Sequence, residues 1–96
     1  MADESDERQR MVDLLESQHT FPGPYTFRVV VRPAARAQVV TVLAAVDDCR
    51  VVQVDEKPSR KGTYLSVRVT AELERADVAL DVYEVLQQLE AVLAVM

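Results

Sequence analysis

TYLSVRVTAEL, residues 63–73, alternates without a break: Leu65, Val67, Val69, Ala71 and Leu73 face one way, and Tyr64, Ser66, Arg68, Thr70 and Glu72 face the other. Side chains on a strand repeat with a period of two, so this run is a half-buried strand with one apolar and one polar side. Such a strand needs a neighbour to hydrogen-bond and a layer to cover its apolar side. Working outward from it identifies both.

Immediately upstream, EKPSRKG (56–62) sets Pro58, three basic residues and Gly62 in a turn, preceded by RVVQVDEK (50–57), a second strand. Downstream, RADVALDVYEVLQQL (75–89) places Val78, Val82, Val85 or Leu86, and Leu89 on one helix face, and AVLAVM (91–96) closes as a short strand. Further upstream, YTFRVVVR (25–32) reads as a central strand. Pro33 breaks it and opens AARAQVVTVLAAV (34–46), a helix with Val39, Val42, Leu43 and Val46 at helical spacing. FPGP (21–24) stops a short amphipathic helix over Glu7–Glu16, whose apolar side is Met11, Leu14 and Leu15. Residues 1 to about 10 read as a solvated acidic tail.

The order β-α-β-β-α-β predicts an α+β fold, the ferredoxin-like plait: a four-stranded antiparallel sheet with two helices on one face, here preceded by a short N-terminal helix. Residues 1–20 form the acidic leader with its helix, and 21–96 the domain. In a plait the first and third strands are central. Matching apolar sides puts Tyr25, Phe27, Val29 and Val31 under the helices. Thr26, Arg28, Val30 and Arg32 then share an uncovered face with Tyr64, Ser66, Arg68 and Thr70.

Composition bounds the function. Ninety-six residues, 49% apolar, make one small domain with a single core. Of sixteen acids, six lie in residues 1–16 against Arg8 and Arg10; the rest of the chain holds ten acids and nine bases. Of the net charge of −5, −4 therefore sits in the leader, and the near-neutral body lacks the basic footprint of a nucleic-acid binder. Cys49 is alone, so no intrachain disulfide and no cysteine metal cluster is expected. No apolar run approaches a membrane span, and MADESDER has neither region of a secretory signal, so a cytoplasmic protein is expected.

FPGPYTF (21–27) and KPSRKGTYLSV (57–67) resemble the YbeD-like family of small bacterial proteins of unknown function. The Leu14-Leu15-Glu16 helix and the terminal strand ending in Val95-Met96 fit as well, so the resemblance covers about residues 12–96. It implies an ACT-like fold, and with it a sensing or interaction role; it implies no enzymatic activity. SQHT (17–20) is extra spacing relative to that family. Arg32-Pro33 stands where such proteins, and amino-acid-binding ACT domains, commonly have glycine, which argues against amino-acid binding at that loop.

Two candidate sites emerge. In the basic turn, Lys57, Ser59, Arg60, Lys61 and Gly62 offer cations, a hydroxyl and backbone N–H groups to an anion. The spacing is not that of a P-loop, and the plainer reading is a hairpin turn kept soluble by its charges. On the uncovered face, Arg28, Arg68 and Tyr64 are the residues with recognition chemistry. Plaits that bind single-stranded RNA stack bases there, but Thr63 and Leu65 stand where aromatics belong. Catalysis has no constellation. Acylphosphatase-like chemistry needs an asparagine that the chain lacks, and His19 lies in a leader without a fixed partner. Cys49 reads as a small, partly buried side chain, and Asp55 and Glu56 fall on opposite strand faces. The expectation is a small regulatory or protein-interaction module without cofactor or metal. Self-association or a protein partner comes first, an anionic metabolite at Lys57, Arg60, Lys61 and Arg28 or Arg68 second, and RNA last.

Overall fold

A computed structural model describes residues 4–95 of the protein. The chain runs α1 (Glu4–Gln18), β1 (Gly23–Val31), α2 (Arg36–Ala44), β2 (Cys49–Pro58), β3 (Leu65–Leu73), α3 (Ala76–Gln87) and β4 (Val92–Val95). A single 3-10 turn, Pro33–Ala35, leads into α2, with Pro33 at the position its fixed φ suits. The sheet order is β2-β3-β1-β4, every neighbouring pair antiparallel, so β1 and β3 are the central strands of a ferredoxin-like plait.

One side of the sheet makes the core. Phe27, Val29 and Val31 from β1 and Val67, Val69, Ala71 and Leu73 from β3 are fully buried. They share a cluster with Val39 and Leu43 of α2 and with Val78, Val82 and Leu86 of α3. Full burial of a side chain of this size stabilises by roughly 1.5–3 kcal/mol, and no polar side chain is buried among the described residues. Tyr25 is half-buried on the same side, where its hydroxyl meets that of Tyr83 at 2.9 Å.

Three features depart from the sequence reading. First, α1 begins at Glu4, inside the stretch expected to be solvated tail. The acids at 6 and 7 suit the positive end of a helix. Arg8 anchors the new turns to α3, donating to the Asp81 carboxylate at 2.7 Å and to the Asp77 carbonyl at 3.2 Å. Second, β2 carries a bulge: Val51 pairs with Ala71 and Gln53 with Thr70, leaving Val52 as the extra residue, about half exposed. The bulge turns Val54 inward three residues after Val51, a spacing that strict alternation forbids. Third, His19 has a partner, its ring edge-on to Tyr25 at 4.9 Å.

The link from α1 to β1 is tight at Gly23. A Cβ there would meet the Thr20 carbonyl oxygen at 2.5 Å, so only glycine lets the chain pass. Between α2 and β2, Asp48 sits at φ 62, a left-handed turn that aspartate tolerates better than most residues. Its carboxylate accepts from Arg75 at 2.9 Å, tying that turn to the start of α3.

Candidate functional site: the uncovered face of the sheet

Residues of even number on β1 and β3 point away from the helices, and their register sets them side by side: Thr26 opposite Thr70, Arg28 opposite Arg68, Val30 opposite Ser66. On β2 the bulge brings Gln53, Asp55 and Lys57 into the same rows, beside Thr70, Arg68 and Ser66. A strictly alternating β2 would put Arg50 and these three on opposite faces; the extra residue puts all four on one. Thr26 and Thr70 join through their hydroxyls at 3.0 Å, a cross-strand bond that stiffens the middle of the face.

Arg28 and Arg68 are therefore direct cross-strand neighbours, with no carboxylate within ion-pair distance of either among the described residues. Asp55 stands next to Arg68 in register, yet its Oδ2 accepts from Gln53 Nε2 at 2.9 Å. Around the two arginines the face hollows to a volume of about 300 Å³, which Val30, Asp55, Lys57 and Ser66 also line. A second hollow of about 480 Å³ lies on the other flank of Arg28, walled by His19, Thr26, Tyr25 and Tyr83.

The remaining arginines with visible partners do something else. Arg8 ties α1 to α3, Arg36 ties α2 to Glu56 of β2, and Arg75 ties the α2–β2 turn to α3 through Asp48 while also bonding Asp77 at 3.1 Å. The Asp48 and Asp77 carboxylates hold the Arg75 guanidinium pKa above its usual value, a further mark of a structural tie.

The basic turn is closed by its own groups. Ser59 N–H donates to the Tyr64 carbonyl at 2.8 Å, and Tyr64 N–H donates to the Ser59 hydroxyl at 3.0 Å. Gly62 N–H donates to the Ser59 carbonyl at 2.9 Å, with Gly62 at φ +73, where glycine is the natural residue. The Ser59 hydroxyl and three N–H groups thus have partners inside the turn. Of the sequence-derived residues, the structure brings Arg28, Arg68 and Lys57 to one hollow; Ser59, Arg60, Lys61 and Gly62 lie outside its lining. Tyr64 is exposed at the mouth of β3, and Tyr25 and Phe27 are on the helix side.

Sequence reasoning did not single out Asp55 and Ser66 for this site, nor the His19–Tyr25–Tyr83 group beside it. The signal for Ser66 was the alternation itself; for Asp55 it was hidden, because the bulge decides its side. Elsewhere, Cys49 is buried and its thiol pKa is pushed up by that burial, the reverse of an activated nucleophile. Asp55 and Glu56 diverge to opposite faces, Glu56 toward Arg36. Among the described residues no group of three or more His, Cys, Asp or Glu side chains is placed to hold a metal, and no helix is long and apolar enough to cross a membrane.

No curated protein matches the chain. A family model, described as a protein of unknown function (DUF493), matches residues 16–96, from the last turn of α1 to the end of β4 and beyond. That is the family of the YbeD-like proteins, which the sequence resembles at FPGPYTF and KPSRKGTYLSV. With 16–96 matched, most of the chain is accounted for, and the protein belongs to the DUF493 family of proteins of unknown function.

Proposed function

We propose that the protein is a small, non-catalytic cytoplasmic interaction module that self-associates through the uncovered face of its sheet. The observation that supports this is the opposed, unpaired and exposed Arg28 and Arg68 at the centre of a face that no described element covers. Single exposed charges are ordinary, but like charges directly across a sheet disfavour the fold. Their presence there makes sense when something binds over them.

The edges of the sheet are poorer candidates. β2 bears a bulge, four charged residues and a terminal proline, and β4 is four residues long. These are the devices by which proteins keep strand edges from pairing. The face, by contrast, carries both signs: Arg28, Arg50, Lys57 and Arg68 with Asp55 and Glu72. A two-fold copy laid on it can answer arginine with carboxylate, as an isologous interface requires.

Sedimentation velocity over a concentration range, with amide NMR shifts recorded on the same samples, tests the proposal. Self-association should appear as a concentration-dependent sedimentation coefficient, weaker at high salt, with shifts at Thr26, Arg28, Ser66, Arg68 and Thr70. A monomer at every concentration removes self-association; shifts confined to β2 move it to the edge.

A further inference from the structure

We infer that the hollow around Arg28, Lys57, Ser66 and Arg68 is a binding site for the phosphoryl group of a small phosphate monoester. This rests on the reading of the uncovered face as the working surface and names what its centre holds. Two guanidinium groups project from register-paired positions on the two central strands, and Lys57 and Ser66 lie in the adjoining row. None of these four side chains has a hydrogen-bond or ion-pair partner among the described residues, so their donors are open to a ligand.

The donor set selects the ligand. A carboxylate brings one charge and two oxygens to a set that holds three cations. A phosphoryl group brings three strong acceptor oxygens and a charge near −2, the closer match to two forks, an ammonium and a hydroxyl. The site is built on strands, not on a loop, and Arg28 and Arg68 stem from the most deeply paired part of the sheet. Its volume of about 300 Å³ is at the lower limit for ligand pockets, which suits a small ester. Asp55 forms one wall, already accepting from Gln53. A second anionic group would meet repulsion there, and a hydroxyl would meet an acceptor. A monoester with a hydroxylated body fits; a bisphosphate does not.

The experiment is an NMR titration of the full chain, at constant ionic strength and at a protein concentration where sedimentation shows monomer. The probes are inorganic phosphate, glycerol 3-phosphate, acetate and chloride. Saturable shifts at Arg28, Ser66 and Arg68 with both phosphates, tighter for the ester and absent with acetate and chloride, support the site. Arg28→Gln and Arg68→Gln should each weaken phosphate binding about tenfold, the loss of one charge-assisted pair. Arg60→Gln with Lys61→Gln, in the turn outside the hollow, should leave it unchanged. Because both arginines are exposed, these variants should keep the wild-type spectral dispersion elsewhere; Lys57→Gln supplies a third test if one does not. Non-saturable shifts, equal shifts with chloride, or equal weakening by the turn variant overturn the inference. Phosphate binding without pairing at any concentration removes self-association and keeps the site. Pairing without saturable phosphate shifts removes the site and keeps self-association.

Discussion

The two sides of this sheet use arginine in opposite ways. On the helix side Arg8, Arg36 and Arg75 each meet a carboxylate, and each contact joins two elements: α1 to α3, α2 to β2, and the α2–β2 turn to α3. On the bare side Arg28 and Arg68 stand opposite each other, with Asp55 flanking Arg68 in register, and neither arginine forms an ion pair among the described residues. The difference is one of available counter-charge. The helix layer is rich in acids, Asp77, Asp81 and Glu84 among them, so arginines that reach it become ties. Among the described residues the bare face has no layer above it, and its nearest acid, Asp55, bonds Gln53 rather than either arginine. Even so, the ties are exposed pairs of the kind worth about 0–1 kcal/mol each. What holds the fold is the apolar layer beneath them; Arg28 and Arg68 on the other side join no two elements through an ion pair among the described residues.

Substitutions on the two sides should break or sharpen that contrast. The largest effect belongs to Phe27→Ala on the covered side. Phe27 is fully buried, with Tyr25 and Tyr83 rings 4.9 and 5.2 Å away, and its loss should cost about 3–5 kcal/mol in urea denaturation. A cost near zero would mean that the covered side is not the core. Next comes Gly23→Ala, where the new Cβ must push backbone at Thr20; about 1–3 kcal/mol is expected from the same measurement. Retention of full stability would show that the passage from α1 to β1 is looser than drawn.

Tyr83→Phe should cost about 1 kcal/mol by removing the hydroxyl pair with Tyr25. It also carries a pH signature. Burial first, and the bond to Tyr25 second, raise the Tyr83 pKa well above its ordinary value. The folded state therefore keeps this proton more tightly than the unfolded chain. Its contribution is complete below the usual tyrosine pKa of about 10 and declines as pH rises beyond that. The wild type should lose stability in that alkaline range faster than Tyr83→Phe; parallel curves would refute the burial argument. The smallest effect has the opposite sign. Without anions, Arg68→Gln should stabilise the fold by a few tenths of a kcal/mol, up to about 1, by ending the cross-strand repulsion. A clear destabilisation in thermal melts would show that Arg68 is a structural tie after all.

Much of the fold was legible. The unbroken alternation over 63–73 marked a strand and its two sides, and β3 indeed buries Leu65, Val67, Val69, Ala71 and Leu73. The helical spacing of Val78, Val82 and Leu86 marked α3. Even the sharing of a face by Arg28 and Arg68 followed from matching two apolar sides. Lys57 was joined to Arg28 or Arg68 only together with Arg60 and Lys61, however, because proximity along the chain could not separate it from its neighbours in the turn. The register of β2 moves it into the hollow and leaves Arg60 and Lys61 outside.

The sequence by itself determined which side of each regular element is apolar, because periods of 2 and 3.6 are local properties of the backbone. From those sides came the plait and the existence of a polar, arginine-bearing face. Only tertiary structure decided the rest. The bulge at Val52 exists relative to the partner strand β3; nothing in RVVQVDEK announces it, yet it assigns Asp55 and Lys57 to the site. The length of α1 depended on Arg8 finding acids on α3, some seventy residues away along the chain. Long-range pairing of this sort is set by which surfaces meet, and a period read along one segment carries no record of it.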